Sequence, residues 1–575
     1  MYLKKTKQKN DRVRLDVVEN YYDSWEKKSK QVTLKSLGYV DDLEKIYDDP
    51  ISHFKKVILD YKGFIQNSNY PITLKFQNRE EMNDMRLHER NFGFVILSKI
   101  YHGLELHKFL LNKQRHRNDT YNADELFKIL LNSQIISKYD RTSWFQKKKQ
   151  YTKSELKSFF NFMSSNSFNL LKWTNNHIKD YYNRGSCYIY ENITEFNFTE
   201  NSIAEIAINK NNIYNQTRNS IYMSLYLDSH GVPYAFREVN KFNHNDNPKK
   251  FYDKLQDQLN IKNFVIVGDR IVKSYEELDY EIKELNNNKY VFAIDPITAP
   301  LEMQNFILNS SDIKQYNKET MYKTRIYPRE IILDNGSKKI ILEKQLFLKN
   351  SIKETNDRFT RENMLSKVSK IISNPHSFNV CNLSDEIKYI KKLSFNPDGT
   401  INMEDSILEL DKDRILLESK YDGIKCLITN EPKNNLTHII QVYYYQYSLE
   451  KVLANIKCTI QRFSKFFNQE EYTDYTTTIL MVTYTSLIMI RLLHLAMEKK
   501  YSLETLLDAI NKYNCILIQQ NYYLFTYYDD VLAAIGKRMN IDLNVRIRTL
   551  KEIRQIFAKI KKTDFTDPEQ TKPAE

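Results

Sequence analysis

The sequence predicts an α/β protein of several domains, and three observations support this class. Residues 186–292 contain runs rich in β-branched and aromatic residues, which are typical of strands. Segments with apolar residues three and four positions apart lie on both sides of this region, which indicates amphipathic helices. A chain of 575 residues is too long for one hydrophobic core, so we expect about three or four domains.

The composition is that of a folded, basic protein. With 41% hydrophobic residues and only 11 Gly and 12 Pro, the chain can bury real cores. Its net charge of +13 favours an anionic partner such as nucleic acid, although a charge that only keeps the protein soluble is an equally good reading. The basic residues form three clusters: Lys4, Lys5, Lys7, Lys9, Arg12 and Arg14; Lys147, Lys148 and Lys149; and Lys559, Lys561 and Lys562.

Cysteine spacing and targeting signals exclude several classes of protein. The five cysteines lack the close Cys and His spacing of a zinc site or of a disulfide framework. The N-terminus has no apolar region of a secretory signal. The most apolar stretch, residues 479–497, contains Arg491 and His494, which indicates a buried helix rather than a membrane span. These observations fit a protein of the reducing cytoplasm.

The pattern along the chain predicts five segments. They are a small basic β unit at 1–50, a helical domain at 51–183, the first part of an α/β core at 184–299, a β-rich insertion with a return strand at 300–435, and helices at 436–575. Asn122 is the predicted N-cap of a helix in the second segment. DNA binding and dimerisation are both open as roles for that helical domain.

Two acidic residues stand at positions that suit chemistry. Asp269 follows the apolar residues of the segment NFVIVGDR, a run that is typical of a strand covered on both faces. Such a strand would hold the Asp269 carboxylate at its carboxyl end. The segment VYYYQYSLEKVLANIK places Tyr443, Glu450 and Lys457 seven residues apart, hence on one helix face. Asp269 and Glu450 together are candidates to hold divalent metal ions. On spacing alone, ordinary surface acids are the simpler interpretation.

Several stretches, in the same order, resemble one family. The stretches are TLKSLGYVDDLEKIYDDPISHF, LSKIYHGLELHKFLLNKQRHRNDTYNADEL, IVGDR, SKYDGIKCLITNEP and YSLETLLDAINKYNCILIQQNYYL. They resemble the opening segment, the helical domain, the second-aspartate strand, the strand before the third acid and the C-terminal helices of insertion-sequence DDE transposases with a Tyr, Arg, Glu, Lys signature. The resemblance implies a ribonuclease-H-like core that handles DNA, with a β insertion between the second and third acids.

The resemblance also implies a metal site for two magnesium or manganese ions. Asp269 and Glu450 match the second and third metal-binding acids, and Asn192 occupies the place of the first. An amide offers a neutral oxygen and no negative charge, so we expect weakened metal binding and severely reduced catalysis. Glu191 and Glu195 point to the opposite face of a regular strand and cannot replace the missing acid, unless a local bulge changes the alternation.

Three residues of the signature helix match positions that the family uses on DNA. They are Tyr443, Gln446 and Lys457, where Gln446 replaces the family's arginine. Losing a bidentate phosphate clamp is expected to weaken the positioning of DNA ends. The simpler alternatives to a DNA contact are that Tyr443 packs in the core and that Lys457 is solvated.

Three functions follow from this reading of the sequence. The first is a transposase-family DNA-binding protein in which cleavage and strand transfer are impaired. The second is a fully active cut-and-paste transposase, and the third is a non-catalytic interaction scaffold. The resemblance implies double-stranded DNA with terminal inverted repeats as the partner, and a homodimer, because synapsis of two DNA ends needs two protomers.

Overall fold

A computed structural model gives the architecture of the chain. It describes residues 1–8, 11–23, 28–67, 89–136, 151–197, 220–239, 248–261, 263–268, 288–332, 336–379, 385–457, 472–519 and 522–562. The chain divides into two compact units rather than the three or four domains that its length suggests. Unit 1 contains residues 1–99, 138–140 and 505–565, and unit 2 contains residues 100–137, 141–504 and 566–575.

Unit 1 begins with an antiparallel sheet of three strands in the order β1-β2-β3. The elements are β1 (Tyr2–Lys7), β2 (Val13–Asp23) and β3 (Lys28–Tyr39), followed by α1 (Val40–Leu43) and α2 (Pro50–Asn67). These three strands lie within the small basic β unit predicted at residues 1–50. The basic N-terminal segment adds β1, because each residue from Tyr2 to Lys7 pairs with β2. Leu15 and Val18 on β2 are buried.

The predicted helical region is confirmed. After β4 (Arg90–Asn91) come α3 (Phe94–Gly103), α4 (Leu106–Gln114), α5 (Ala123–Ile135), α6 (Lys153–Ser165) and α7 (Ser167–Lys179). The Asn122 side chain accepts a hydrogen bond from the backbone N–H of Glu125 at 3.1 Å, so it caps α5 as the sequence predicts. Thr152 and Glu155 form a capping box at the start of α6.

Unit 2 is built around a sheet of nine strands. In chain order its elements are β5 (Cys187–Asn197), β6 (Ser220–Leu227), β7 (Pro233–Val239), α8 (Pro248–Leu259), β8 (Phe264–Val267), β9 (Lys289–Ile294), α9 (Leu301–Leu308), β10 (Lys314–Gln315), β11 (Thr320–Ile332), β12 (Lys338–Asn350), α10 (Ser351–Ser373), β13 (Ile390–Lys392), β14 (Ile407–Leu410), α11 (Lys412–Ser419) and β15 (Ile424–Thr429). The strand order is β10-β11-β12-β15-β9-β8-β5-β6-β7. All four residues of β8 are buried between its parallel neighbours β5 and β9, as the apolar run predicts.

The segment predicted as a β-rich insertion divides between this sheet and a small subdomain. The long hairpin β11–β12 extends the main sheet through β15. Between β12 and β15, α10 and the pair β13–β14 enclose a separate apolar cluster of Val368, Ile371, Tyr389, Ile390 and Ile401. The run RILLES, which lies in the segment predicted to be β-rich, is helical instead. This run forms α11, because Asp411 caps it by accepting a hydrogen bond from the Arg414 backbone N–H at 3.0 Å.

The C-terminal part is not wholly helical, which corrects the predicted helical C-terminus. Its elements are α12 (Leu436–Lys457), α13 (Tyr472–Ala496), α14 (Leu503–Lys512), β16 (Asn514–Gln519), β17 (Tyr522–Phe525), α15 (Asp530–Arg538), β18 (Ile547–Thr549) and α16 (Leu550–Lys562). In unit 1, β16 and β17 form a hairpin in a sheet of order β18-β17-β16-β4. Asn91 of β4 donates a hydrogen bond to the Asn514 side chain at 3.0 Å, a pairing between residues far apart in the sequence.

The apolar helix α13 is a core helix, as its sequence predicts. It is long and apolar enough to span a membrane, but 94% of its most apolar window is buried inside the fold. Thr483, Thr485 and Ser486 are also fully buried. Thr483 accepts a hydrogen bond from Gln134 of α5 at 2.8 Å, so these polar groups are satisfied by protein neighbours.

The hairpin β11–β12 allows a direct comparison of a buried and an exposed ion pair. Arg329 and Glu343 are buried and 3.2 Å apart, whereas Glu330 and Lys338 are exposed and 2.6 Å apart. We expect Glu343→Ala to lower the free energy of unfolding by about 3–5 kcal/mol, because it removes the buried carboxylate that pairs with the buried Arg329 guanidinium. Glu330→Ala is expected to cost less than about 1 kcal/mol. Urea unfolding measures both, and equal losses would contradict the prediction.

Candidate functional site

The carboxyl ends of β5 and β8 lie side by side in unit 2. The two strands are parallel, and Tyr190 of β5 pairs with Val267, the last residue of β8. Gly268 follows, and a Cβ atom there would collide with the ring of Phe292, so only glycine fits. The chain therefore leaves the strand immediately before Asp269, at the edge where parallel strands of a sheet commonly present functional groups.

Helix α12 runs along β5 in the same direction. The Tyr188 hydroxyl lies 3.4 Å from Nε2 of His438, and the Tyr190 hydroxyl donates a hydrogen bond to the Val442 carbonyl oxygen at 2.9 Å. Two residues of a strand advance about 6.6 Å, and one helical turn advances about 5.4 Å. Helix α12 therefore follows β5 at least as far as Tyr190, and the following turns of α12 carry Gln446 and Glu450.

The strand β5 is irregular where the first metal ligand was predicted. Tyr190 pairs with Leu225 and Thr194 pairs with Met223, so four steps on β5 match two steps on β6. The irregular part is residues 191–193, whose side chains lie outside the described structure. The argument that turns Glu191 to the opposite face assumes regular alternation, and that assumption fails across such a segment.

The predicted metal-binding residues are described only in part. Asp269 and the side chain of Asn192 lie outside the described residues, whereas Glu450 is half-buried on α12. Within the described ranges, no group of three His, Cys, Asp or Glu side chains is arranged to hold a metal ion. The three-residue metal site thus stays a prediction, to which the structure adds the position of Glu450 and the direction of α12.

The signature residues Tyr443 and Gln446 are buried on α12. Tyr443 has no exposed surface, and its pKa is raised by burial first and by the nearby Tyr447 and Tyr444 second. Gln446 is 4% exposed, and its buried Nε2 atom has only the Tyr443 hydroxyl beside it, with no partner at ordinary hydrogen-bond geometry. A DNA contact by either residue stays a prediction, and it requires this part of α12 to be uncovered. Lys457 is the last residue of α12, and its side chain lies outside the described structure.

A polar face of the N-terminal sheet carries basic residues that the sequence placed only in a cluster. On β1 and β2, Lys4 pairs with Asp16 and Thr6 pairs with Arg14, so Lys4 and Arg14 share one face. Lys4 donates to the Gln31 side chain, and Arg14 Nε lies 3.1 Å from Asp16 Oδ1. Both basic side chains keep solvent access. This polar face is therefore available to an anionic partner.

The other two basic clusters are described unequally. Lys147, Lys148 and Lys149 lie outside the described residues. Lys559 and Lys561 are exposed on α16 in unit 1. Lys562 ends that helix, and its side chain lies outside the described structure.

One family matches the N-terminal part of the chain. Residues 3–64 match the sequence model described as IS1634 family transposase, N-terminal domain. This range covers the three-stranded sheet, α1 and most of α2. The match supports an insertion-sequence transposase. A comparison with curated proteins finds no match.

The buried amide of Gln446 leads to a stability prediction. We expect Gln446→Leu to raise the free energy of unfolding by about 1 kcal/mol, because it removes a buried donor that has only the Tyr443 hydroxyl beside it and no partner at ordinary hydrogen-bond geometry. Gln345 is the matched control, since its buried side chain donates to Glu343 at 2.8 Å and accepts from Arg325 at 2.7 Å. Gln345→Leu is expected to lower the free energy of unfolding by about 1–3 kcal/mol. Urea unfolding tests both variants, and destabilisation by Gln446→Leu would contradict the prediction.

Proposed function

We propose that the chain is a DDE transposase with a ribonuclease-H-like core, in which DNA cleavage and strand transfer are impaired by Asn192. The observation that carries this proposal is the arrangement of β5, β8 and α12. The first two strands are adjacent and parallel, and α12 follows β5 toward their carboxyl ends. The order β7-β6-β5-β8-β9, with three antiparallel strands followed by two parallel ones, is the arrangement expected of such a core.

The donor set suits magnesium or manganese but lacks one charge. Asp269 and Glu450 supply carboxylate oxygens, which are the ligands these hard cations prefer. Two such ions, when bound, activate a nucleophilic oxygen and stabilise the leaving oxygen of a phosphodiester. Asn192 would contribute only a neutral oxygen. Glu450 would be held in position by α12, whose register on β5 is fixed by Tyr190.

DNA binding is proposed for the polar face of the N-terminal sheet, which lies within the matched transposase domain. The net charge of +13 favours a polyanion. The proposed partner is double-stranded DNA that carries terminal inverted repeats. A homodimer is also proposed, because the joining of two DNA ends requires two protomers.

The irregularity of β5 favours a second candidate, a fully active transposase. If the two extra residues between Tyr190 and Thr194 turn Glu191 toward α12, this residue supplies the missing first carboxylate. The two candidates differ in which residue serves as the first metal ligand, Asn192 or Glu191. Mutagenesis of these two residues separates them.

A cleavage assay distinguishes the impaired enzyme from the active one. The substrate is duplex DNA carrying the repeats that flank the coding sequence, with magnesium or manganese. For the impaired enzyme, we expect Asn192→Asp to raise the cleavage rate by about tenfold or more, because it restores an anionic ligand. Asp269→Ala in that background is expected to abolish the gain.

The controls for this assay are Glu191→Gln and Glu195→Gln. In the impaired enzyme, neither change alters cleavage by the Asn192→Asp variant. Strong cleavage by the unmodified chain that Glu191→Gln removes and Glu195→Gln preserves would replace the impaired enzyme with the active one. Unchanged circular dichroism verifies that each variant is folded.

The salt dependence of DNA binding tests the polar face. We expect Lys4→Ala and Arg14→Ala each to lower the slope of log K against log salt by about one, because each removes one phosphate contact. Lys7→Ala is the control, since Lys7 lies on the opposite face of β1 and pairs with Asp11 at 2.7 Å. Fluorescence anisotropy with duplex DNA measures the slopes. Equal effects of all three changes would contradict a role of this face.

A further inference from the structure

A group of basic side chains lies at the β6–β7 turn in unit 2. This cation cluster, named for its arginine and lysine members, consists of Arg184, His230, Arg491, His494 and Lys499. Leu227, which precedes the turn, pairs with Tyr188 near the start of β5. The cluster therefore lies toward the end of β5 opposite to Asn192, and the proposed metal site does not use it.

Arg491 is the buried centre of this cluster. It is 4% exposed, and its Nε and Nη2 atoms are buried without hydrogen-bond partners. Its guanidinium carbon lies 5.1 Å from the ring centre of Tyr445, whose buried hydroxyl also lacks a partner. A Cβ atom at Gly231 would collide with the Tyr445 hydroxyl and lie 3.5 Å from Arg491 Nε. The turn therefore packs directly on these two polar groups.

The nearest buried carboxylate is already fully used. Asp228 Oδ2 accepts from Arg184 Nε at 2.8 Å and from the Tyr182 hydroxyl at 2.6 Å. Its Oδ1 atom accepts from the backbone N–H groups of His230 and Val232, both at 2.9 Å. One carboxylate thus serves Arg184, and no carboxylate of the described residues pairs with Arg491. A buried charge without a countercharge is costly.

Two further basic residues lie at the end of α13. His494 lies three residues after Arg491 and hence on the same side of the helix. The backbone N–H of Lys499 donates to the His494 carbonyl oxygen at 3.0 Å, in a turn where Lys499 has a left-handed φ of 57°. Burial first, and then the positive charges of Arg491 and Lys499, lower the pKa of His494 to about 4. His494 is therefore neutral at neutral pH, and Arg491 and Lys499 supply the positive charge that no ion pair of the described residues compensates.

We infer that the cation cluster binds a phosphate-type oxyanion, with the Arg491 guanidinium as its buried donor and Lys499 at its exposed side. Guanidinium N–H groups match the oxygen spacing of such an anion. In the DNA-binding function proposed above, on which this part rests, the anion is a backbone phosphate of DNA. A free oxyanion would use the same contacts.

Sulfate binding to the full chain tests the site without DNA. Thermal unfolding is measured with increasing sulfate against chloride at constant ionic strength. We expect saturable stabilisation, which Lys499→Ala weakens by about fivefold in apparent Kd because it removes one exposed charge-assisted contact. Lys500→Ala is the matched control, since the adjacent, exposed Lys500 pairs with Glu498 at 2.6 Å. General salting effects of sulfate act equally on both variants.

A second variant separates the site from a folding defect. Arg491→Gln is expected to unfold at a higher temperature than the unmodified chain in chloride, because it removes an unpaired buried charge, and to lose the saturable response to sulfate. If sulfate has no saturable effect on the unmodified chain, or if Lys499→Ala and Lys500→Ala behave alike, the anion site is overturned whatever the DNA result.

Duplex DNA distinguishes the source of the anion. If the anion is a backbone phosphate, Lys499→Ala lowers the salt slope of DNA binding by about one relative to Lys500→Ala. Sulfate binding with equal DNA slopes overturns the DNA assignment and supports a site for a free oxyanion. Sulfate binding by a chain that binds no DNA supports the anion site while the proposed function fails.

Discussion

The hydrogen bond from the Tyr190 hydroxyl to the Val442 carbonyl oxygen sets how α12 lies on the central sheet of unit 2. A shift of α12 along β5 would break this hydrogen bond and leave the buried Tyr190 hydroxyl unpaired. Burial raises the pKa of Tyr190 well above that of a free tyrosine, so the hydroxyl keeps its proton and remains a donor throughout the neutral range. The position of Glu450, two turns further along α12, follows from this one contact.

The same strand separates two kinds of charge in unit 2. Toward its carboxyl end, β5 approaches the positions proposed for carboxylates, and near its start lie Arg184 and the turn that covers Arg491. A polyanion is repelled by carboxylates that hold no cations and attracted by a guanidinium group without an ion-pair partner, such as that of Arg491. An anion at the cation cluster would therefore orient a nucleic acid on the sheet independently of any metal ion.

Sequence patterns predicted those elements that are determined by residues nearby in the sequence. The apolar run of β8 and the Asn122 cap both depend on neighbours within a few residues, and both are confirmed. The hairpin β16–β17 was missed because the sheet that stabilises it includes β4, more than 400 residues away in the chain. Arg491 appeared in the sequence only as a break in an apolar helix. Its lack of a countercharge depends on Asp228 being occupied by other donors.

The irregular part of β5 changes the argument about the first metal ligand in a specific way. Two extra residues are an even number, so strand parity is the same before and after the shift: Tyr190 pairs with Leu225, and Phe196 pairs with Ile221. The alternation that excludes Glu195 is therefore unaffected, because Glu195 lies in the regular part. Only at residues 191–193 does the alternation of side chains between the two faces of the sheet no longer hold. The candidates for an inward-facing ligand on β5 are thus reduced to the adjacent pair Glu191 and Asn192, one charged and one neutral, and the chemistry of the proposed site depends on which of them faces α12.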